Sequence, residues 1–189
     1  MKAVSLLLLL LCPLFSVISF AQSRWIGLYL SADDYKNERL SYAVQGPEKN
    51  QIHIDPIAAL GKIRVKNIHG AHTMRKDEVY ACKNQDQQVF RFYKGDPYLV
   101  LNGHGPTLVI YRQSVRSGRN GSDLGYEYFF SRELTSDIKP LTMLNLMVAY
   151  PDIPGLEQKL SLTFHNDHAL HGLDDDGHYL LESFMKSVH

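Results

Sequence analysis

Cysteine is scarce in this chain, and each of its two cysteines carries a consequence. Cys12 lies inside an N-terminal apolar run, and Cys82 stands alone in the remainder. If residues 1–21 are removed, no intrachain disulfide can form, although small exported domains often depend on such cross-links. The fold must then be stabilised by its hydrophobic core. A lone cysteine in the strand-like stretch VYAC is expected to be a small buried hydrophobe rather than a nucleophile.

The sequence also lacks a bias of charge. It has 20 Lys and Arg residues against 20 Asp and Glu residues, for a formal net charge of zero. Because nucleic-acid-binding surfaces carry a basic excess, no nucleic-acid partner is predicted. The densest basic cluster is Arg112, Arg116 and Arg119, and Asn120 begins a glycosylation sequon beside it. The Ser and Gly content favours a solvated hairpin tip, with contact to an anion or a polysaccharide as the alternative.

Familiar catalytic motifs are missing as well. The chain has no G-x-S-x-G elbow, no Walker loop and no Rossmann fingerprint. A glycosidase pair of carboxylates needs only spatial proximity, so acids such as Asp33, Asp34 and Glu133 leave that chemistry open. These absences favour a non-enzymatic protein over an enzyme.

The N-terminus carries a targeting signal. An apolar run covers residues 4–15 and follows a lysine, and a small-x-small pattern ends at Ala21. This arrangement predicts a secretory signal peptide over residues 1–21, cleaved after Ala21. The run is shorter than the roughly 20 apolar residues of a membrane span and contains Pro13, so no stable span is expected after cleavage. The predicted location is periplasmic or secreted.

Residues 22–189 predict a single α+β domain. In residues 22–134 short apolar segments alternate with turn sequences rich in Gly, Pro, Asn and Asp. We expect this strand-rich part to form an antiparallel β-meander or a barrel-like curved sheet. Residues 135–189 predict two or three helices, with Thr142 as an N-cap and a second helix beginning near Gly155. On the last helix, apolar residues fall on one side: Leu180, Leu181, Phe184, Met185 and Val188.

Aromatic and basic side chains are the candidate ligand contacts. Trp25 and Tyr29 lie in the first strand-like run, just before a Ser31–Asp34 pattern that predicts a capped helical turn. Exposed rings on one sheet face stack on sugars or anchor a protein partner, although rings in strands more often fill the core. The candidate contacts to an unknown ligand or protein at the cell envelope are Trp25, Tyr29, Arg116 and Arg119.

A cluster of histidines and aspartates near the C-terminus is the candidate metal site. The stretch HNDHALHGLDDDGHYL, residues 165–180, holds four of the chain's nine histidines. Imidazole and carboxylate groups that converge can bind a divalent cation, and no other cofactor is predicted. The candidate ligands are His165, His168, His171, Asp174, Asp176 and His178.

Simple motifs do not select a metal for this stretch. Gly172, Gly177 and three consecutive aspartates favour a break in any helix, with Asp175 or Asp176 capping the last helix. An EF-hand register with Gly177 at the sixth position puts Gly172 where aspartate is required. Neither HGAH nor HNDHALH matches H-E-x-x-H. A solvated connection and adventitious metal binding therefore stand beside a functional site as alternatives.

Three longer stretches complete the sequence evidence: GLYLSADDYKNERLSYAV, FRFYKGDPYLVL, and YFFSRELTSDIKPLTMLNL with AYP behind it. Together they resemble a family of small exported bacterial proteins of unknown function. The resemblance implies export and one continuous domain, but no activity, ligand or catalytic residue. The prediction is an exported, non-enzymatic module that binds a ligand or a partner. A metal-binding protein or metal-dependent hydrolase that uses the C-terminal cluster is the alternative.

Overall fold

The computed structural model describes residues 25–45, 61–67, 70–103, 105, 107–117 and 123–188. The predicted signal peptide, residues 1–21, lies outside these ranges, as do Arg119 and Asn120. Among the described residues no helix is long and apolar enough to cross a bilayer.

Ten strands and four α-helices are found in the described ranges. The strands are β1 (Trp25–Tyr29), β2 (Ser41–Gln45), β3 (Lys62–Asn67), β4 (Gly70–Arg75), β5 (Ala81–Lys83), β6 (Val89–Tyr93), β7 (Asp96–Val100), β8 (Val109–Ser117), β9 (Asp123–Ser131) and β10 (Lys139–Pro140). The α-helices are α1 (Ala32–Lys36), α2 (Met143–Ala149), α3 (Leu156–Thr163) and α4 (Leu180–Val188). Short 3-10 helices cover Lys76–Glu78 and Asp167–His171.

Eight strands form one antiparallel sheet in the order β10-β9-β8-β7-β6-β5-β1-β2. Strands β5 to β10 follow one another as a meander, whereas β3 and β4 leave this sheet as a separate hairpin before β5 returns beside β1. Helices α2 to α4 complete the chain. The predicted α+β class, a meander followed by helices, is confirmed, with three C-terminal helices. The sheet is open rather than closed into a barrel.

Local sequence explains where the helices begin. The Asp34 N–H donates to Ser31 Oγ at 3.0 Å and the Ser31 N–H donates to Asp34 Oδ2 at 3.1 Å, which confirms the predicted capping box of α1. Thr142 caps α2 by accepting the Asn145 N–H at 3.1 Å. Helix α3 starts after Gly155, whose φ of 66° lies in the left-handed region that glycine adopts without strain.

The last helix begins later than the sequence predicts. Asp174 Oδ1 accepts the backbone N–H groups of Asp176 at 3.0 Å and His178 at 2.8 Å, so the aspartates close a turn of their own. Helix α4 then starts at Leu180. The prediction that Asp175 or Asp176 caps this helix is therefore wrong, while the predicted break at the aspartates is confirmed.

The sequence of strand β4 does not mark it as a half-buried strand. Its sequence, GAHTMR, pairs in continuous antiparallel register with β3, and its side chains are mostly exposed. The buried side chains of this hairpin come from β3, where Ile63 and Val65 are fully covered. Because β4 contributes little to the core, its sequence lacks the apolar alternation that marks a half-buried strand.

The two faces of the large sheet are covered differently. One face packs against α1 and the segment between β9 and β10, through two clusters that centre on Tyr35 and Ile138. On the opposite face, Ile63 and Val65 of the β3–β4 hairpin cover one end, and the C-terminal helices cover Phe130 at the other. The hairpin and the helices thus form two separate covers on the same face.

A buried arginine joins the sheet to the segment after β9. Arg91 is 4% exposed, and its guanidinium donates to Tyr111 Oη at 2.8 Å, Ser131 Oγ at 3.2 Å and the Ser136 carbonyl at 2.8 Å. Its guanidinium carbon also lies 5.3 Å from the ring centroid of Tyr80. Among the described residues it forms no ion pair with a carboxylate. Neutral oxygens and aromatic rings therefore take the place of a counter-ion.

Candidate functional site

A row of side chains crosses six strands on the face that carries both covers. Side chains directly opposite each other on neighbouring strands share one face of a sheet. The register makes each member of this row the cross-strand partner of the next. The members of this cross-strand row are Leu28, Cys82, Phe90, Leu99, Arg112 and Tyr128.

Both ends of the cross-strand row are covered. Leu28 and Cys82 are fully buried beneath the β3–β4 hairpin, and burial raises the pKa of the Cys82 thiol to about 12. At the other end the ring of Tyr128 lies flat against that of His171, with centroids 3.9 Å apart and an interplanar angle of 5°. The thiol is therefore a packing group, as its strand setting predicts, and His171 holds the helical cover on the sheet.

The middle of the cross-strand row is open and forms a cleft of about 450 Å³. Phe90 and Leu99 are partly exposed there, because neither the hairpin nor the helices reach far enough to bury them. Cavities of roughly 300–1,000 Å³ with an apolar lining and a few polar groups are typical of small-ligand sites. The residues that define this sheet cleft are Lys76, Phe90, Pro97, Leu99, Arg112 and Tyr126.

Two cations line the sheet cleft. The guanidinium carbon of Arg112 lies 4.3 Å from the ring centroid of Tyr126, which is 53% exposed, so the ring supports one face of the guanidinium. Lys76 is 4% exposed, and its Nζ lies 5.8 Å from the ring centroid of Phe92. The exposed carboxylate of Asp96 also lines the cleft. This arrangement suits binding of an amphiphilic ligand.

The described lining of the sheet cleft also offers polar contacts. Ser114 and Gln88 add a hydroxyl and an amide, both from exposed positions on the rim. Among the described lining residues there is no histidine or cysteine. The described lining residues thus offer contacts that can orient a ligand.

The four predicted ligand contacts lie elsewhere or outside the described residues. Trp25 is exposed at the start of β1 but does not line the sheet cleft. Tyr29 is 4% exposed, because it points to the face of the sheet that α1 covers and packs edge-on against a neighbouring tyrosine. It is therefore a core residue and not part of a ligand surface. The side chain of Arg116 and all of Arg119 lie outside the described residues. Arg112, whose side chain the structure describes, belongs to the same predicted basic cluster and lines the cleft.

The C-terminal cluster brings together half of the predicted metal ligands. Asp174, Asp176 and His178 offer ligand atoms that all lie within 4.8 Å of one another. The turn closed by Asp174 produces this convergence, since it folds the chain back over four residues. Asp176 and His178 are exposed. Two carboxylates and an imidazole are suitable donors for a divalent cation such as zinc.

The other three predicted ligands do not join this group. His165 and His168 are exposed, and the His168 ring packs edge-on against His171 with centroids 4.4 Å apart. Burial, and then the nearby His168, lower the pKa of His171. With its ring against Tyr128, His171 fills a packing position between the sheet and the segment Asp167–His171. Two histidines that the sequence groups with the aspartates thus form a separate aromatic contact.

The acids considered for glycosidase chemistry divide in a similar way. Asp33 and Glu133 line a second cavity of about 500 Å³, on the side of the sheet where α1 packs. The carboxylate of Asp33 is bonded to Arg39 and to Asn37. Asp34 is used in the capping box of α1. Two of the three acids therefore share a cavity, with the Asp33 carboxylate already engaged by a cation.

Comparison with known proteins gives no match to any protein-family model, curated protein or solved structure. The resemblance drawn from the sequence stays a prediction.

Proposed function

We propose that this protein is an exported, non-enzymatic binding module that takes a small ligand into the sheet cleft. The observation that carries the proposal is the uncovered centre of the cross-strand row. Packed layers normally bury the apolar face of a sheet. Here the hairpin and the helices cover the two ends and leave Phe90 and Leu99 partly exposed between them. Export rests on the predicted signal peptide, residues 1–21.

The walls of the cleft support a pre-formed site. On the hairpin side the supporting residues Leu28, Ile63 and Val65 are fully buried, and on the helical side so are Leu160 and Leu181. Close-packed cores of this kind hold their side chains in fixed positions. A ligand that enters a pre-formed cleft loses less affinity to the ordering of the protein. The geometry therefore favours binding without a large rearrangement.

An uncharged aromatic probe is expected to bind one site in the sheet cleft. Phenylnaphthylamine gains fluorescence in apolar surroundings, and titration of the mature protein should saturate at one probe per chain. Replacing Ser114 with tryptophan should weaken this binding at least tenfold, because a large ring then occupies the cleft. Fluorescence titration with direct excitation of the probe measures both affinities.

The matched control is Thr73→Trp. Thr73 is an exposed strand residue on β4 and does not line the cleft, so this variant should bind the probe as the unmodified protein does. Equal binding by the unmodified protein and Ser114→Trp, with both folded, would place the probe elsewhere and contradict the proposed site.

The second candidate function is divalent-metal binding at the C-terminal turn. It is favoured by the convergence of Asp174, Asp176 and His178 within 4.8 Å. The three donors come from one short turn and two of them are exposed, so a cation would bind them at the protein surface. This group of donors is sufficient for a metal-binding protein. A hydrolase would also require a bound water and a substrate cleft beside the metal.

Zinc is expected to raise the melting temperature if the turn is a metal site. Saturation at a hundred times the dissociation constant stabilises a protein by about 2.7 kcal/mol, which is a rise of several degrees for a domain of this size. Asp176→Asn should abolish the rise, because it removes a ligand without touching the Asp174 hydrogen bonds that close the turn. His165→Gln is the control and should keep it. Identical melting with zinc and with a chelator would reject this second function.

A further inference from the structure

We propose that the ligand of the sheet cleft is an extended peptide segment that pairs with the backbone of β8 as an added antiparallel strand. The peptide lies beside Ser114, where β7 does not pair with β8, and its apolar side chain rests near Phe90 and Leu99. This inference rests on the proposed binding function and names the class of ligand.

Strands β7 and β8 stop pairing before either strand ends. Their ladder ends at Leu99 and Arg112. Yet β7 already begins at Asp96, and β8 continues to Ser117, still paired with β9 on its other side. Among the described strands, none pairs with Ser114 on the β7 side. An edge of β8 is therefore open inside the sheet, and the sheet cleft lies along it.

The backbone of Ser114 points to this open edge. Ile110 directs both of its backbone groups toward β7, because its carbonyl accepts the Leu101 N–H at 2.9 Å and its N–H donates to Asn102 Oδ1 at 2.8 Å. Backbone directions alternate along a strand, so the groups of Arg112 and Ser114 point the same way as those of Ile110. The N–H and C=O of Ser114 are thus a donor and an acceptor at the edge of the cleft.

A proline explains why β7 and β8 separate here. The register that joins Leu99 to Arg112 would place Pro97 opposite Ser114. Proline has no backbone N–H, so Pro97 cannot donate to the Ser114 carbonyl. Pro97 nevertheless keeps its register with Phe92 on β6. The proline therefore opens the edge of β8 while β6 and β7 stay paired.

An extended peptide fits both parts of this site. Strand addition uses main-chain hydrogen bonds for affinity and contacts with alternate side chains for specificity. A peptide residue opposite Ser114 directs its side chain to the same face as Ser114, which is the face that carries Phe90 and Leu99. The ring of Tyr126, opposite Ser114 on β9, lines the same space. Backbone pairing and apolar burial thus act on one peptide residue.

The charges beside the open edge favour a segment without net charge. Arg112 and Asp96 line the cleft from β8 and β7, and they carry opposite charges. Lys76 is almost fully buried, and its Nζ lies near the ring of Phe92. A singly charged ligand would be attracted by one of the two cleft charges and repelled by the other. An uncharged backbone, with a donor and an acceptor in each residue, meets no such conflict.

An uncharged peptide with capped ends tests the assignment. It has about seven residues, enough to follow the edge of β8, and alternates threonine with valine and phenylalanine. It should bind one site on the mature protein and displace phenylnaphthylamine. In antiparallel pairing the amides of the apolar residues face β8. N-methylation of these amides should therefore weaken binding at least tenfold more than N-methylation of the threonine amides, as calorimetry measures.

Ser114→Pro is the corresponding change in the protein. It removes the N–H at the open edge and keeps the ladder with β9, because the bonds to β9 come from neighbours such as Gln113 and Val115. Peptide affinity should fall at least tenfold more than phenylnaphthylamine affinity, since the probe needs no backbone bond. Ser114→Ala is the matched variant: it keeps the N–H and should show no such difference between the two ligands.

Each variant is compared at a temperature where its melting curve shows it folded; if Ser114→Pro does not fold, the two methylated peptides decide alone. Equal binding of these two peptides, or failure of the parent peptide to bind a protein that binds phenylnaphthylamine, overturns the peptide assignment but leaves the cleft as a binding site. Failure of both the parent peptide and the probe to bind overturns the cleft function and the peptide assignment together.

Discussion

Replacing Arg91 with alanine is expected to lower the free energy of unfolding by about 3 kcal/mol. Three hydrogen bonds from a charged donor are lost, to Tyr111, Ser131 and the Ser136 carbonyl. The long stem and the planar head also leave a cavity between tyrosine rings. Removal of the buried charge returns part of this free energy, because its desolvation cost disappears too. Urea denaturation of the variant measures the difference.

Arg91→Lys separates the geometry of the guanidinium from its charge. A lysine ammonium on a flexible stem is a point donor, and it cannot reproduce the planar fork that bonds Tyr111 and the Ser136 carbonyl together. We therefore expect this variant to be less stable than the unmodified protein as well. Arg64→Ala, at an exposed strand position, should change stability by no more than about 0.5 kcal/mol. If Arg91→Ala is as stable as the Arg64 control, the buried guanidinium does not tie the sheet to the segment after β9.

Replacing Leu181 with alanine is expected to lower the free energy of unfolding by about 3 kcal/mol, within the usual range for a fully buried leucine. Leu181 has no exposed surface, and it packs in the cluster that joins α4 to the sheet through Ile110 and Phe130. Truncation removes apolar contacts and leaves a cavity that close-packed neighbours fill only in part. Thermal or urea unfolding of the variant measures the loss.

Leu180 provides a control one residue away. It lies in the same helix but is 43% exposed, so Leu180→Ala should cost less than about 1 kcal/mol. The comparison keeps residue type, helix and substitution constant and changes only burial. Similar losses in the two variants would show that α4 does not pack through the face that contains Leu181 and Met185.

Features that depend on a few consecutive residues follow closely from the sequence. The Ser31–Asp34 capping box and the Thr142 cap are recognisable because side chain and backbone meet within one turn. The alternation around Arg91 in β6 is equally local: Phe90 and Phe92 contact the hairpin cluster, and Arg91 points to the other face. On α4 the predicted apolar side includes Leu180, which is 43% exposed in the structure. The orientation of the helix on the sheet leaves Leu180 at the surface, and this orientation is set by tertiary packing.

The sheet cleft is built from residues far apart in the chain, so most of its lining cannot be recognised in the sequence. Lys76, Phe90 and Leu99 come together only because of strand register and the way the β3–β4 hairpin folds over the sheet. Nothing in the residue order fixes which side chains the two covers leave open. In the candidate metal site, likewise, the ligand atoms within Asp174–His178 converge because these residues share one local turn. His165 and His168 are not part of this group.

The cross-strand row also sets a length for whatever occupies it. Neighbouring strands in a sheet are about 4.8 Å apart, so the two steps from Phe90 on β6 to Arg112 on β8 span about 10 Å. Beyond Phe90 the row passes beneath the hairpin, and beyond Arg112 it reaches the stacked ring of Tyr128. The uncovered part of the row therefore has a limited length, because a longer ligand would meet the hairpin at one end and the ring of Tyr128 at the other. A body about two strand spacings in length fits between them.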